Sequence, residues 1–231
     1  HEFKYSEHFI ANLASARKII RRVFEITGTP RSVVDLGGGS GAWCSVMRDL
    51  GVSRLTCIDD PRIPANQLLV RPEEFIACDL AASMPAPIPC DLALCMEVAE
   101  HLPESRAVAV VDFLTASAGV ILFSSAIAGQ PHELHINPQP PTYWKDLFAR
   151  RGFTRYDVVR PLILNDPEIS YWYRQNLFLF ADDKHSDALR KASASFPSIS
   201  DEFELIHSRV LETYRKPPGA PKLRDLLARI L

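Results

Sequence analysis

Val33-Val34-Asp35-Leu36-Gly37-Gly38-Gly39-Ser40-Gly41 is the stretch on which the reading of this chain turns. Two β-branched residues run into an aspartate, and a Gly-x-Gly-x-Gly turn follows at Gly37, Gly39 and Gly41. Ala42 to Leu50 then carries a helical pattern, so the stretch reads as a strand, a tight turn and a helix start. Glycine lets the backbone adopt positive φ and approach a ligand without interference from a Cβ. The helix N-terminus beyond it offers unpaired N–H groups to a polar ligand. Such a turn occurs in dinucleotide-binding proteins and in turns that hold nothing, so its surroundings must decide.

Outward from the turn, Arg31 to Leu36 and Arg54 to Ile58 are strands with one helix between them. They form a βαβ unit, which is right-handed and parallel. Asp59 falls at the carboxyl end of the second strand, where ligands bind in such sheets. A carboxylate there either accepts both hydroxyls of a ribose or shapes the turn before Pro61. Glu74 to Cys78 is a third strand, closed by Asp79-Leu80. Asp79 either receives an exocyclic adenine amine or caps a turn. Cys90 to Met96 is a fourth strand, followed by Glu97-Val98-Ala99-Glu100-His101-Leu102-Pro103. A helix over Arg106 to Ala116 and a fifth strand over Gly119 to Ser124 lead into an irregular polar loop, Ser125 to Pro141, with His132, His135 and Asn137. Thr142 to Arg151 is helical, and Phe153 to Val159 and Asn176 to Phe180 read as the last strands. In front of all this, Ser6 to Thr27 is a packing helix with Phe9, Leu13, Ala16, Ile20 and Val23 at helical spacing, ended by Gly28 and Pro30. Behind it, a helical tail from Asp182 carries Phe203, Ile206, Val210 and Tyr214 on one face.

Composition narrows the class. The chain has 231 residues, 47% of them hydrophobic, enough for one domain with appendages. A net charge of −2 without a long basic run argues against a nucleic-acid partner. The 5 cysteines are odd in number and lack CxxC spacing, so they read as reduced core residues of a cytoplasmic protein. No apolar run approaches membrane-spanning length and no signal peptide is visible, so no membrane partner is expected. His1-Glu2-Phe3 reads as a tag remnant.

Four motifs stand in order: the Val33–Gly41 turn, Asp59, Asp79, and Asp91-Leu92-Ala93-Leu94-Cys95-Met96-Glu97. Over about Ser32 to Phe180 the chain resembles the class I S-adenosylmethionine-dependent methyltransferases. The resemblance implies an α/β fold: a Rossmann-like, seven-stranded, mostly parallel sheet with helices on both faces and a hairpin of paired late strands. To it are added the N-terminal helix and the helical C-terminal tail. The catalytic domain would span 1–181 and the extension 182–231. The resemblance assigns Asp35, Gly37, Gly39 and Gly41 to the methionine part of the cofactor and Asp59 to its ribose. It assigns Asp79 with Leu80 to the adenine, and Met96 with Glu97 to the sulfonium region. A dehydrogenase fits less well, because the aspartate before the glycines and the Glu-x-x-Glu-His set are not the dinucleotide pattern.

Methyl transfer needs an aligned acceptor and, for a hydroxyl, a base near neutral pH, for which histidine is suited. His101, His132 and His135 are the candidates, with His135 or His132 favoured. Glu97, Glu100 and His101, with His132 or His135, also resemble the magnesium site of small-RNA 2′-O-methyltransferases and some ubiquinone-pathway O-methyltransferases. One divalent ion, Mg2+, would sit there, although this turn also occurs widely without metal. His135-Ile136-Asn137-Pro138-Gln139, Tyr143-Trp144 and Trp172-Tyr173-Arg174-Gln175-Asn176 resemble a bacterial subset linked to secondary-metabolite or surface-glycan pathways. Trp43, Trp144, Tyr171, Trp172 and Tyr173 read as core or packing residues, with the wall of a substrate pocket as the alternative. The expectation is a cytoplasmic enzyme, monomer or homodimer, that converts S-adenosylmethionine to S-adenosylhomocysteine and methylates a small-molecule hydroxyl. The alternatives are a peptide- or RNA-directed methyltransferase with the metal site, and a module that binds the cofactor without transfer.

Overall fold

The computed structural model describes residues 5–130 and 134–195. Its centre is β1 (Ser32–Leu36), buried along its whole length. On one side β1 pairs in parallel with β2 (Arg54–Asp59), and β2 with β3 (Phe75–Ala77). On the other side it pairs in parallel with β4 (Leu92–Met96), and β4 with β5 (Val120–Ser124). Beyond β5 the direction reverses: β7 (Phe178–Ala181) is antiparallel to β5, and β6 (Thr154–Tyr156) antiparallel to β7. The order β3-β2-β1-β4-β5-β7-β6 is the seven-stranded, mostly parallel sheet that the sequence implies. The chain leaves β1 toward β2 and returns on the far side at β4. This opens a crevice at the carboxyl ends of β1 and β4, the place where such sheets hold ligands.

Alternation along each strand sends side chains to two separate apolar layers. Val33, Leu92, Leu94 and Leu122 face one layer, and Val34, Ala93, Cys95 and Phe123 the other. The first layer is covered by α1 (Tyr5–Thr27), α2 (Ala42–Asp49) and, late in the chain, a helix over Asp187–Ser193, through Ile19, Ile20, Val23, Met47 and Leu189. The second is covered by α3 (Ala107–Ser117) and α4 (Pro141–Ala149), through Val110, Val111, Leu114 and Phe148. Each such large side chain contributes about 1.5–3 kcal/mol on burial. α1 stops where Gly28, at φ 80, turns its N–H back to the Phe24 carbonyl at 2.9 Å.

Three expectations change. The sixth strand is only Thr154–Tyr156, because the chain leaves the sheet for α5 (Arg160–Ile163). There the buried Arg160 ties Asp157 (2.8 Å) to the Gln175 carbonyl (2.8 Å). Asn176 closes the helix α6 (Tyr171–Asn176) instead of opening a strand. A short aromatic run is ambiguous in sequence, and here three-residue helical spacing buries Tyr173 and Asn176 together. Cys78 and Cys90 are half-buried, whereas Cys44, Cys57 and Cys95 are core residues. The remaining helix, α7 (Asp187–Ser193), begins the tail and buries Leu189 in the same layer as α1. The rest of the tail, including its Phe203–Tyr214 face, lies outside the described residues. No described helix is long and apolar enough to cross a membrane.

Gly37 has φ 78, and a Cβ there would lie 2.5 Å from both γ-carbons of Val98. Gly37→Ala is therefore expected to lower folding stability by about 1–3 kcal/mol, measured by urea denaturation. An unchanged midpoint would show that the turn has room to relax.

Candidate functional site

The site begins beneath the glycine turn. Asp35 follows Val33 on the same strand face, so its side chain points under α2 and is 1% exposed. The Cys44 sulfur lies 4.0 Å from its Oδ2. A Cβ on Gly38 would come within 2.7 Å of that oxygen and of the Cys57 sulfur, so only glycine lets the turn close over the acid. Among the described residues Asp35 Oδ1 has no hydrogen-bond partner. Burial, and then the Asp59 charge, push the Asp35 carboxyl up to about 7. Gly37, Gly39 and Gly41 all take positive φ, at 78, 58 and 83, and Gly41 starts α2.

Asp59 closes the turn from the side. Its Oδ2 accepts the Gly39 N–H at 2.6 Å and its Oδ1 the Asp60 N–H at 2.6 Å. Burial raises its carboxyl despite those donors. A cavity of about 330 Å³ opens beside it, lined by Gly37, Asp59, Asp79, Leu80, Glu97 and His101 among others. Asp79 Oδ1 accepts the Ala81 N–H at 3.0 Å, which makes the turn that presents Leu80 to the cavity. The Leu80 carbonyl accepts from Arg106 Nε at 3.0 Å. Arg62, at the mouth, is paired with Asp60. Met96 is buried, with the Ser124 hydroxyl donating toward its sulfur at 3.9 Å.

Past β4 the chain turns sharply at Glu97, whose φ of 56 is the one left-handed value among described non-glycine residues. Such a conformation costs on the order of 1–3 kcal/mol and tends to mark a functional site. Gln130 Nε2 donates to Glu97 Oε2 at 2.9 Å, and Asn176 Nδ2 donates to Oε1 at 3.1 Å. Burial raises the Glu97 carboxyl, and these donors and Ser124 oppose the rise. Glu100, fully buried, is pushed well above the usual range by burial and then by the Glu97 charge. Its Oε2 accepts from the Ser125 hydroxyl at 3.1 Å, and its Oε1 lies 4.0 Å from His135 Nε2. The His135 side chain is 8% exposed and its ring meets that of His101 edge-on at 4.9 Å. His101 Nδ1 lies 3.1 Å from the Leu134 carbonyl.

One ligand atom from each of Glu100, His101 and His135 falls within a 4.8 Å group. Glu97, the other candidate ligand, is not in that group, because Gln130 and Asn176 hold its carboxylate. Two imidazoles and one carboxylate suit a borderline ion better than the hard Mg2+. His132 lies outside the described residues. The sequence sets Gln130 only in a polar, substrate-facing loop and Asn176 at the start of a strand, and it reads Tyr173 as a packing residue. Tyr173 is buried edge-on against Trp43 at 5.2 Å, its hydroxyl pushed up by burial and the Glu97 charge. Only the aromatic-polar run on α6 signalled these residues, and its helical phase was not legible.

The donor chemistry tests the implied cofactor. An orphaned buried carboxylate oxygen, a glycine cradle that a Cβ would fill and several acids fit a ligand with hydroxyls, amines and positive charge. They do not fit a pyrophosphate. The chain matches the methyltransferase-domain family over residues 6–158. No curated protein matches it in sequence. Among solved structures it is similar to a methyltransferase from an antibiotic biosynthesis pathway of Anabaena variabilis, at 12% identity and TM-score 0.51, covering 72% of this chain and 99% of that one. It is similar to the methyltransferase domain of the bacterial CtHen1, at 16% and 0.50, covering 72% and 97%. It is also similar to the pyocyanin biosynthetic protein PhzM, at 19% and 0.50, covering 73% and 54%. The chain spans 57% of human N-acetylserotonin methyltransferase and 55% of TnmH.

Asp35 sets a pH dependence. Between about pH 4 and about pH 7 the unfolded carboxyl has lost its proton while the folded one, at about 7, keeps it. The folded state then binds more protons, so this group's contribution to stability falls as pH rises, by about 4 kcal/mol across the window. Asp35→Asn lacks that loss. Denaturation of the cofactor-free protein from pH 4 to 8 is expected to show the variant gaining on the wild type as pH rises. Parallel curves would show that Asp35 does not titrate there.

Proposed function

This chain belongs to the S-adenosylmethionine-dependent methyltransferase family, and on that premise we propose that it methylates a hydroxyl oxygen of a small-molecule acceptor. The cofactor supplies an activated methyl carbon on a sulfonium, and S-adenosylhomocysteine is the product. The glycine turn with Asp35 holds the methionine end, Asp59 the ribose, and Asp79 with Leu80 the adenine. Met96 and Glu97 stand at the sulfonium. The biosynthetic setting extends to this chain what the PhzM and Anabaena descriptions say of proteins that share its fold.

His135 carries the reading. It comes from the irregular loop after β5, almost wholly buried, with its Nε2 4.0 Å from Glu100 Oε1 and its ring against His101. A hydroxyl becomes a nucleophile when its proton moves to a base that is neutral near pH 7. Glu100, beside it, is raised well above the usual carboxylate range by burial and by the Glu97 charge, and its Oε2 accepts from the Ser125 hydroxyl. The chain thus aligns two reactants, excludes water and accepts one proton at an imidazole nitrogen.

A second reading rests on the Glu100–His101–His135 group. Those three residues would hold a divalent cation, which would polarise the acceptor oxygen and lower its pKa. His135 would then be a ligand and not the base.

His135→Ala is expected to lower turnover about 10²–10⁴-fold while S-adenosylhomocysteine affinity, by calorimetry, changes little. Full activity would move the base to His101 or His132. Cofactor binding with no product from any acceptor would favour a binding module. In parallel, Mn2+ and Mg2+ titrations should give no heat if His135 is the base. A stoichiometric Mn2+ site lost in His135→Ala would favour the metal.

A further inference from the structure

One carboxylate in the crevice is held in place without being neutralised. Gln130 and Asn176 reach Glu97 from two separate segments, the loop after β5 and the end of α6, and both are buried. Asn176 Nδ2 also donates to Gln130 Oε1 at 2.8 Å, which closes a triangle of side chains. A carboxylate accepts only donors, so both amide NH2 groups must face it and the assignment of each amide follows. Asn176 Oδ1 is therefore turned away, buried and without a partner among the described residues.

The donors to Glu97 are the neutral Gln130, Asn176 and Ser124, and a second acid, Glu100, bonds to it as well, so no cation is among these partners. Among the described residues, the one guanidinium lining the cavity, Arg62, has an 87% exposed side chain and is paired with Asp60. A buried carboxylate ordinarily meets a cation. Amide donors keep it oriented and leave its net charge for something else to meet. That charge sits at a left-handed turn beside Gly37, where the proposed cofactor has its sulfonium.

We propose that Gln130 and Asn176 are positioning residues that present Glu97 as an uncompensated carboxylate to the cationic centre of the cofactor, so that the site prefers the charged cofactor to its neutral thioether product. The proposal rests on the methyltransferase reading. It gives the site a reason to release S-adenosylhomocysteine once the positive charge has left with the methyl group. Gln130 lies five residues before His135, so the clamp also links the acceptor loop to the cofactor end.

Calorimetry on the full chain tests this, with S-adenosylmethionine, its unreactive amine analogue sinefungin and S-adenosylhomocysteine, in the presence of a chelator. The wild type is expected to bind both cationic ligands about tenfold or more tightly than the thioether. In Asn176→Leu, Gln130→Leu and the near-isosteric Glu97→Gln, that ratio should fall toward one, mostly through weaker binding of the cations. Equal wild-type affinities for cation and thioether, or a ratio unchanged in Glu97→Gln, would overturn the proposal and leave the cofactor reading intact. Selectivity that appears only when the chelator is replaced by Mn2+ would overturn it in favour of a metal. Binding of none of the three would overturn the cofactor reading as well.

Discussion

The burial of Asp35 under a turn that can only be glycine is the constraint from which the rest of the site follows. Strand parity sends the side chain to the α2 side, where Cys44 and Cys57 are its neighbours. The turn lies so close above it that Gly38 has no space for a Cβ. Asp59 then takes the Gly39 N–H, which fixes the end of β2 to the same turn. One acid beneath and one beside the turn thus lock β1, β2 and the start of α2 into a single arrangement. Such an arrangement is poor for stability at neutral pH, since a buried carboxylate with an unpartnered oxygen favours its protonated form. The two apolar layers supply the surplus that tolerates it.

The same logic runs along the whole carboxyl edge. β2, β1 and β4 are adjacent, and neighbouring strands lie about 4.8 Å apart. Asp59, Asp35 and Glu97 therefore emerge close together, and Glu100 follows within one turn. Burial raises all four, the Asp59 charge adds to the rise of Asp35, and the Glu97 charge adds to that of Glu100. A chain selected only for stability would place a lysine or arginine among them. The edge instead stays acceptor-rich, with carboxyl oxygens and no cation among these four neighbours, a setting suited to a sulfonium or an ammonium.

The fold was largely legible in the sequence because it is written in backbone constraints. The glycine turn, the β-branched runs and the acids at strand ends each report a local geometry, and their order defines the topology. What was not legible depends on phase and on contacts between distant segments. Trp172 to Asn176 reads as strand or helix until packing selects the helical phase that buries Tyr173 and Asn176. Gln130 stands in a stretch without periodicity, so nothing local joins it to Glu97, 33 residues earlier. Glu97 itself was legible as a site residue. Its separation from the Glu100–His101–His135 group was not, since that depends on which neighbours reach its oxygens.

The N-terminal helix shows how far this network extends. Read alone it is a packing helix, and Ile19, Ile20 and Val23 do pack. Its other contacts carry the site. Ser15 Oγ accepts the Ser170 N–H at 3.0 Å, and Lys18 pairs with Asp166 at 2.8 Å and with Glu168. These bonds anchor the segment that leads into α6, and α6 places Tyr173 against Trp43 and Asn176 against Glu97. The wall of the crevice is thus tied on two sides: to the first helix by these polar bonds, and to the sheet because α6 ends at Asn176 and β7 begins at Phe178. A displacement of either support reaches Glu97 through Asn176, so the packing of α1 and the register of β7 both bear on the site.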